Sequence, residues 1–237
     1  PMIALNSDTF ELLTGGSAER RRYLDWAVFH VEHEFRELSK KYTAALQQRN
    51  TVLRKFARIR REQPLDQGSA QLSSAEAQEV DIWSKTVAEI GERVGAFRKK
   101  QFDVLNLLFN EILQELGGQA LGVRLFYRRG WVKDEALVDA LRQGLQSDIT
   151  RGFTQLGPHR ADLQVLVGKE LAGQARLARD VLSRGQLKLV VLAMKLAQIR
   201  FYQQFCAPGG IGSVGLADPR ELTGSDGLSV LLDDVAA

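Results

Sequence analysis

The sequence predicts an α/β protein that carries an inserted α-helical lobe built from one long antiparallel helix hairpin. Three observations predict it. Two apolar seams with helical spacing occupy the first half of the chain, a polar stretch with Pro64 and Gly68 separates them, and short strand-like runs alternate with helical patterns in the second half.

Residues 1–19 read as the end of a preceding head segment, a short extended stretch and loop closing at Gly15-Gly16. The helical lobe follows over residues 20–118. Its first seam steps by four and three through Val31, Phe35, Leu38, Tyr42, Ala45, Arg49, Val52, Phe56 and Ile59, with Arg49 the one polar interruption. Ser73 and Glu76 form a capping box that opens the second helix. Its seam runs through Val80, Trp83, Val87, Ile90, Val94, Phe97, Gln101, Val104 and Leu108, and Gly117-Gly118 ends it. Two such helices joined by a short break fold back on each other, and a coiled coil between two chains is the alternative.

Residues 119–237 change character. Strands are expected at Leu121–Tyr127, Phe153–Leu156, Asp162–Val167 and Leu228–Leu232. Helices are expected at Lys133–Ile149 and from Arg184 to Phe205, and the residues from Ala207 to Gly227 read as a flexible, glycine-rich insertion. This part is the C-terminal portion of an α/β head.

Composition narrows the class. The 237 residues are 44% hydrophobic and 26% charged, as in a soluble globular protein, and neither a membrane span nor a signal peptide is visible, so a cytoplasmic location is expected. The single cysteine, Cys206, excludes an internal disulfide, and three scattered histidines (His30, His33, His159) do not suggest a zinc site. The net charge is only +3, but Arg20 to Glu62 holds 12 Lys and Arg against 5 Asp and Glu. A face of that sign attracts polyanions. The basic runs Arg20, Arg21, Arg22 and Arg54, Lys55, Arg58, Arg60, Arg61 are therefore candidate DNA contacts, although solvated charges on a long helix would read the same way.

Three segments carry chemistry. Ser183-Arg184-Gly185-Gln186 opens a helix, where an N-cap hydroxyl, unused amides and a glycine suit a phosphate. The pentapeptide with Leu182 resembles the signature motif of ABC-type ATPases, which faces the γ-phosphate of a nucleotide held by the opposite protomer. Val230-Leu231-Leu232-Asp233-Asp234 is an apolar run tipped by two carboxylates, as in a Walker B strand. By that analogy Asp233 is the Mg²⁺ residue and Asp234 the catalytic carboxylate that orients water. Gly157-Pro158-His159-Arg160 reads as a tight turn with an exposed polar tip and a structural histidine. A fourth match, Gly210 to Gly215 as GxGxxG, lacks the strand before and the helix after that a dinucleotide site needs.

Asp8-Thr9-Phe10-Glu11-Leu12-Leu13 with Arg21-Arg22-Tyr23-Leu24-Asp25 resembles the segment that opens the helical lobe in the RecF family. Tyr42 through Gln47-Gln48-Arg49-Asn50 is similar to that family's Y…L.QRN stretch, and Gly157-Pro158-His159-Arg160 to its GPHR turn. The Ser183–Gln186 and Asp233-Asp234 segments fall where its signature and Walker B motifs belong. The resemblance implies a weak ABC-type ATPase that forms a homodimer on ATP and Mg²⁺ and binds single- and double-stranded DNA at gaps. It further implies work with RecR and RecO in loading RecA, in recombinational repair, replication restart and the SOS response.

Two departures bear on this chain. The phosphate-binding loop G-x-x-x-x-G-K-[ST] is absent, as is the D-loop expected after Asp234, so the chain reads as a piece that alone should not hold ATP tightly. Other readings stay open: another short-armed SMC-like ATPase, or a non-enzymatic basic helical module that binds DNA as a scaffold.

Overall fold

The structure, a computed structural model, describes residues 10–62, 74–168 and 175–207. In chain order these form α1 (Glu11–Thr14), α2 (Ser17–Val31), α3 (Phe35–Glu62), α4 (Ser74–Glu115), β1 (Val123–Arg128), α5 (Leu137–Gln143), α6 (Leu145–Arg151), β2 (Asp162–Val167), β3 (Arg176–Leu177) and α7 (Arg184–Phe205). Among the described residues, no helix is long and apolar enough to cross a membrane.

The chain divides into two compact units. Among the described residues, one holds those up to Val31, Lys100–Phe126 and those from Leu163 onward, and the other holds those of Glu32–Lys99 and Tyr127–Asp162. These borders lie elsewhere than at 19/20 and 118/119, because α2 and the last turns of α4 pack with the first unit while residues 127–162 pack with the hairpin.

In the hairpin unit, the pairs Glu34–Arg93, Arg49–Ser84 and Lys55–Glu79 descend α4 as they ascend α3, so the two helices run antiparallel within one chain. The expected seam is the buried one: Phe35, Leu38, Tyr42, Ala45, Arg49, Val52 and Phe56 all face inward, as do Val80, Val87 and Val94. Phe35 meets Phe97 edge to face at 6.2 Å. Farther along, Val52, Leu53, Phe56, Val80 and Ile149 form one apolar cluster, on which Ile59, Trp83 and Leu145 pack. Val31 belongs to the helix before. Glu32 to Glu34 interrupt the pattern with a turn, so the seam's first residue ends α2 instead of opening α3.

The helix expected over Lys133–Ile149 is shorter and divided. Asp134 adopts a left-handed conformation (φ 63°), which holds the chain out of helix until Leu137, and Gly144 separates α5 from α6. The strand expected at Phe153–Leu156 does not form. Its amides are taken elsewhere: Thr154 N–H donates to Asn50 Oδ1 at 2.8 Å and Gln155 N–H to Asp148 Oδ1 at 3.0 Å, which leaves no ladder to build.

In the other unit, the sheet has the order β1-β2-β3. Gly168 N–H, at the end of β2, donates to Gly122 O at the start of β1, so those strands are antiparallel. β2 and β3 also pair antiparallel, with Leu166 opposite Leu177. β3 is two residues long, too short for an alternating pattern to reveal. α7 has the expected bounds and buries Leu187, Val190, Val191, Ala193, Met194, Ala197 and Phe201. The run Leu228–Leu232 and the glycine-rich stretch after Ala207 lie outside the described residues.

Candidate nucleotide and DNA sites

Ser183 caps α7 as its sequence requires. Its Oγ accepts from Gln186 N–H at 3.3 Å, and Gln186 Oε1 accepts from Ser183 N–H at 2.9 Å, so both halves of a capping box are present. The helix behind is anchored where a shift would be costly. Buried Tyr23 donates its hydroxyl to Met194 O at 2.8 Å, and buried Gln198 Nε2 donates to Tyr23 O at 3.1 Å. Burial pushes the Tyr23 phenol up in pKa, so it remains a donor. The N-terminal residues Ser183, Arg184, Gly185 and Gln186 are all exposed, and a Cβ on Gly185 would meet nothing within 4 Å. The arrangement thus offers outward donors: the Ser183 hydroxyl proton, the Arg184 guanidinium, and first-turn amides that have no partner within the helix. An anionic group with several acceptor oxygens fits this donor set. Asp233 and Asp234 lie outside the described residues.

The GPHR turn is better built than an exposed polar tip. Pro158–Arg160 is a single turn of 3₁₀ helix with Gly157 and Pro158 buried and His159 half-buried. His159 Nε2 lies 3.0 Å from Thr154 O, which can only accept, so Nε2 carries the proton. Nδ1, 2.7 Å from the Tyr42 hydroxyl, is then the acceptor. Burial raises the Tyr42 pKa well above the ordinary phenol range, which keeps this donor protonated. Arg98 Nη1 donates to Pro158 O at 2.6 Å and fixes the turn from α4. Gly157 (φ 133°) admits no side chain, because a Cβ would stand 2.8 Å from Tyr42 Oη.

The feature that sequence reasoning missed is Arg49. It stands on the apolar seam, fully buried, and its Nη1 donates to Asp148 Oδ2 and Thr154 Oγ1, each at 2.7 Å, while Nε donates to Ser84 Oγ at 2.9 Å. Asn50 Oδ1 accepts from both the amide and the hydroxyl of Thr154. The signal was present: a cation at an apolar heptad position needs a buried carboxylate somewhere in the chain. Only the partner's identity was hidden, 99 residues away.

The candidate DNA contacts divide into two groups. In the α2 unit, Arg20 Nη1 donates to Gly15 O at 2.7 Å, Arg21 Nη1 donates to Ser17 Oγ at 2.8 Å, and Arg22 pairs with Glu19. In the hairpin unit Arg54, Lys55 and Arg58 are exposed on α3. Arg54 Nη2 donates to Thr51 Oγ1 at 3.2 Å, and Lys55 Nζ stands 3.8 Å from Glu79 Oε2. The side chains of Arg60 and Arg61 lie outside the described residues. Also among the described residues, no group of three His, Cys, Asp or Glu could hold a metal ion.

No protein-family model matches the chain. It is 39% identical over 204 residues to the DNA replication and repair protein RecF of Chromohalobacter salexigens, which covers 86% of this chain and 50% of that protein. It is 38% identical over 198 residues to the protein of the same name from Stutzerimonas stutzeri, 84% of this chain and 47% of that one. Two solved structures of the recombination mediator protein RecF in the RecFOR pathway share its fold. The one with ATP superposes with a TM-score of 0.66 at 21% identity, and the second at 0.67 and 22%, each covering 84% of this chain and 50% of the other. The chain thus spans about half the length of the curated relatives it matches. Over the residues these alignments cover, the chain belongs to the RecF family.

Proposed function

We propose that this chain forms the helical lobe and the signature-bearing part of a DNA repair ATPase that dimerises on ATP and clamps DNA. The observation that carries the reading is the exposed, capped start of α7, with open space above Gly185 and donors on Ser183 and Arg184. In the whole protein these residues would close over the γ-phosphate of ATP held by the second protomer, with Gln186 holding the cap. Asp233 would take the Mg²⁺ and Asp234 would orient water. The nucleotide supplies the switch between open and closed dimers, because it binds one state better than the other. Relatives named for DNA replication and repair support the DNA-repair reading, and the RecFOR pathway of the matching structures supports RecO and RecR as partners. Binding to single- and double-stranded DNA at gaps, RecA loading, replication restart, the SOS response and a cytoplasmic location belong to the same proposal.

The test is Ser183→Arg in the full-length protein, assayed by sedimentation with and without ATP. The bulky cation fills the space above α7, so ATP-dependent dimerisation is abolished while circular dichroism is unchanged. Dimerisation that proceeds as in the wild type would remove Ser183 from the nucleotide interface.

A further inference from the structure

The GPHR turn and α3 meet on one side of the hairpin unit, and the surface they share has a composition of its own. Asn50 Oδ1 holds the amide of Thr154, and Gly152 backs onto α3 so closely that a Cβ there would lie 3.3 Å from Arg54 Cγ and 3.9 Å from Ala57 Cβ. The two segments in contact, residues 50–61 and 151–160, contain no Asp or Glu. They expose Arg54, Lys55, Arg58, Arg151 and Arg160. Asp148 lies beneath them, but it is buried and already bound to Arg49. Among the described residues, neither Arg151 nor Arg160 has a carboxylate partner.

This basic face also carries an aromatic ring. Phe153 is 37% exposed, a large fraction for so apolar a side chain, and the Arg160 guanidinium carbon sits 5.3 Å from its ring centroid. Both are held in place from below. Thr154, next to Phe153, is buried and bound to Asn50 and Arg49. His159, next to Arg160, is bridged between Tyr42 and Thr154 O. The buried polar network is what keeps an exposed ring and an exposed guanidinium together at a fixed spot beside exposed positive charges.

We propose that this face binds single-stranded nucleic acid, with backbone phosphates on Arg54 and Arg151 and an unpaired base stacked on the Phe153–Arg160 pair. The chemistry is complementary on both counts. Exposed arginines attract phosphates, and a ring capped by a guanidinium offers a π-face that a splayed base can reach and a paired base cannot. The inference rests on the DNA-binding reading above and adds to it a place and a preference for single strands.

The test uses the full 237-residue chain and labelled oligothymidylate of about 20 nucleotides, long enough for several phosphate contacts, with a duplex of the same length beside it. Fluorescence anisotropy is read from low to moderate salt. Phe153→Leu keeps an apolar residue at an exposed site, so the fold is undisturbed. It weakens single-strand binding about fivefold or more and leaves duplex binding unchanged. Arg160→Lys keeps the charge and removes the stacking plane, with the same signature. Arg151→Glu weakens both ligands and lowers the single-strand salt slope by about 0.7 or more.

If the wild-type chain binds neither nucleic acid, this inference fails, whereas the ATP-dependent clamping proposed for the whole protein is judged by its own dimerisation test. If it binds both and the Phe153 and Arg160 variants bind single strands as the wild type does, this inference alone fails. Binding of polyglutamate that competes fully with the oligonucleotide would assign the face to an acidic protein segment instead.

Discussion

Arg49 and Asp148 form an ion pair with both side chains sealed from solvent, 0% and 2% exposed, at 2.7 Å between Nη1 and Oδ2. The carboxylate has a second task, since its Oδ1 accepts from the Gln155 amide at 3.0 Å. One buried pair therefore joins α3, α6 and the chain leading into the GPHR turn.

Removing one member of such a pair leaves a buried charge with no counter-ion. Arg49→Met should cost about 3–5 kcal/mol, seen as a fall of roughly 6–20 °C in the midpoint of thermal unfolding for a chain of this size. Asp148→Asn keeps an acceptor for Gln155 but strands the guanidinium, and should cost a similar amount. The double variant should cost less than the two singles added, because no unpaired charge remains. Strict additivity would mean that the pair is not coupled in solution.

The two glycines of the family-like motifs should respond in opposite ways. Gly157→Ala forces a side chain into φ 133° and against Tyr42 Oη at 2.8 Å. It should destabilise by about 2–3 kcal/mol or more and speed hydrogen exchange of the amides from Thr154 to Ala161. Gly185→Ala meets open space in the first turn of α7. Its stability should hold or rise by about 0.5–1 kcal/mol. A Gly157→Ala variant as stable as the wild type would show that the turn does not hold this backbone geometry against Tyr42.

This contrast shows where the sequence was informative. The seam residues Phe35, Leu38, Tyr42, Val52 and Phe56 announced the hairpin, because helical burial repeats along a chain and needs no distant partner to be seen. Ser183 and Gln186 announced the start of α7 for the same reason, since a capping box is closed by residues three apart. Phe153 to Leu156 misled. The pattern was apolar and short like a strand, and what decided its backbone was Asn50, more than a hundred positions earlier. Arg49 showed only that something polar was amiss. His159 could be recognised as structural, but its two partners, Tyr42 and Thr154, could not. Local rules were legible, and long-range polar bonds were not.

A pH effect is expected from the α4–α7 pair. Arg200 donates to both carboxylate oxygens of Glu115, at 3.0 and 2.9 Å, and that hydrogen bonding holds the Glu115 pKa below its ordinary value. The same pairing raises Arg200. A depressed carboxylate contributes stability that is present above the unfolded-state value, about 4.3, and is lost as pH falls through the folded one. Glu115→Gln removes the contribution. The wild type should therefore exceed the variant in stability at neutral pH, and the gap should close as pH falls below about 4.3. The group is exposed, so salt should narrow the gap as well. A gap that persists at low pH would trace to packing and not to charge.

The capping box at Ser183 separates a structural from a functional role at one position. Ser183→Ala removes the acceptor for Gln186 N–H and should destabilise by about 0.5–2 kcal/mol. Ser183→Asp supplies another cap acceptor, favourably placed against the helix dipole, and should be about as stable as the wild type. The two substitutions diverge in the proposed nucleotide interface. A carboxylate at the start of α7 repels a phosphate group, so Ser183→Asp should lose ATP-dependent dimerisation although its fold is intact. Ser183→Ala should retain part of it, because the Arg184 and Gly185 amides remain. Sedimentation of the full-length variants with ATP, read beside their unfolding midpoints, distinguishes the roles. If dimerisation followed stability across both variants, Ser183 would be a helix cap and nothing more.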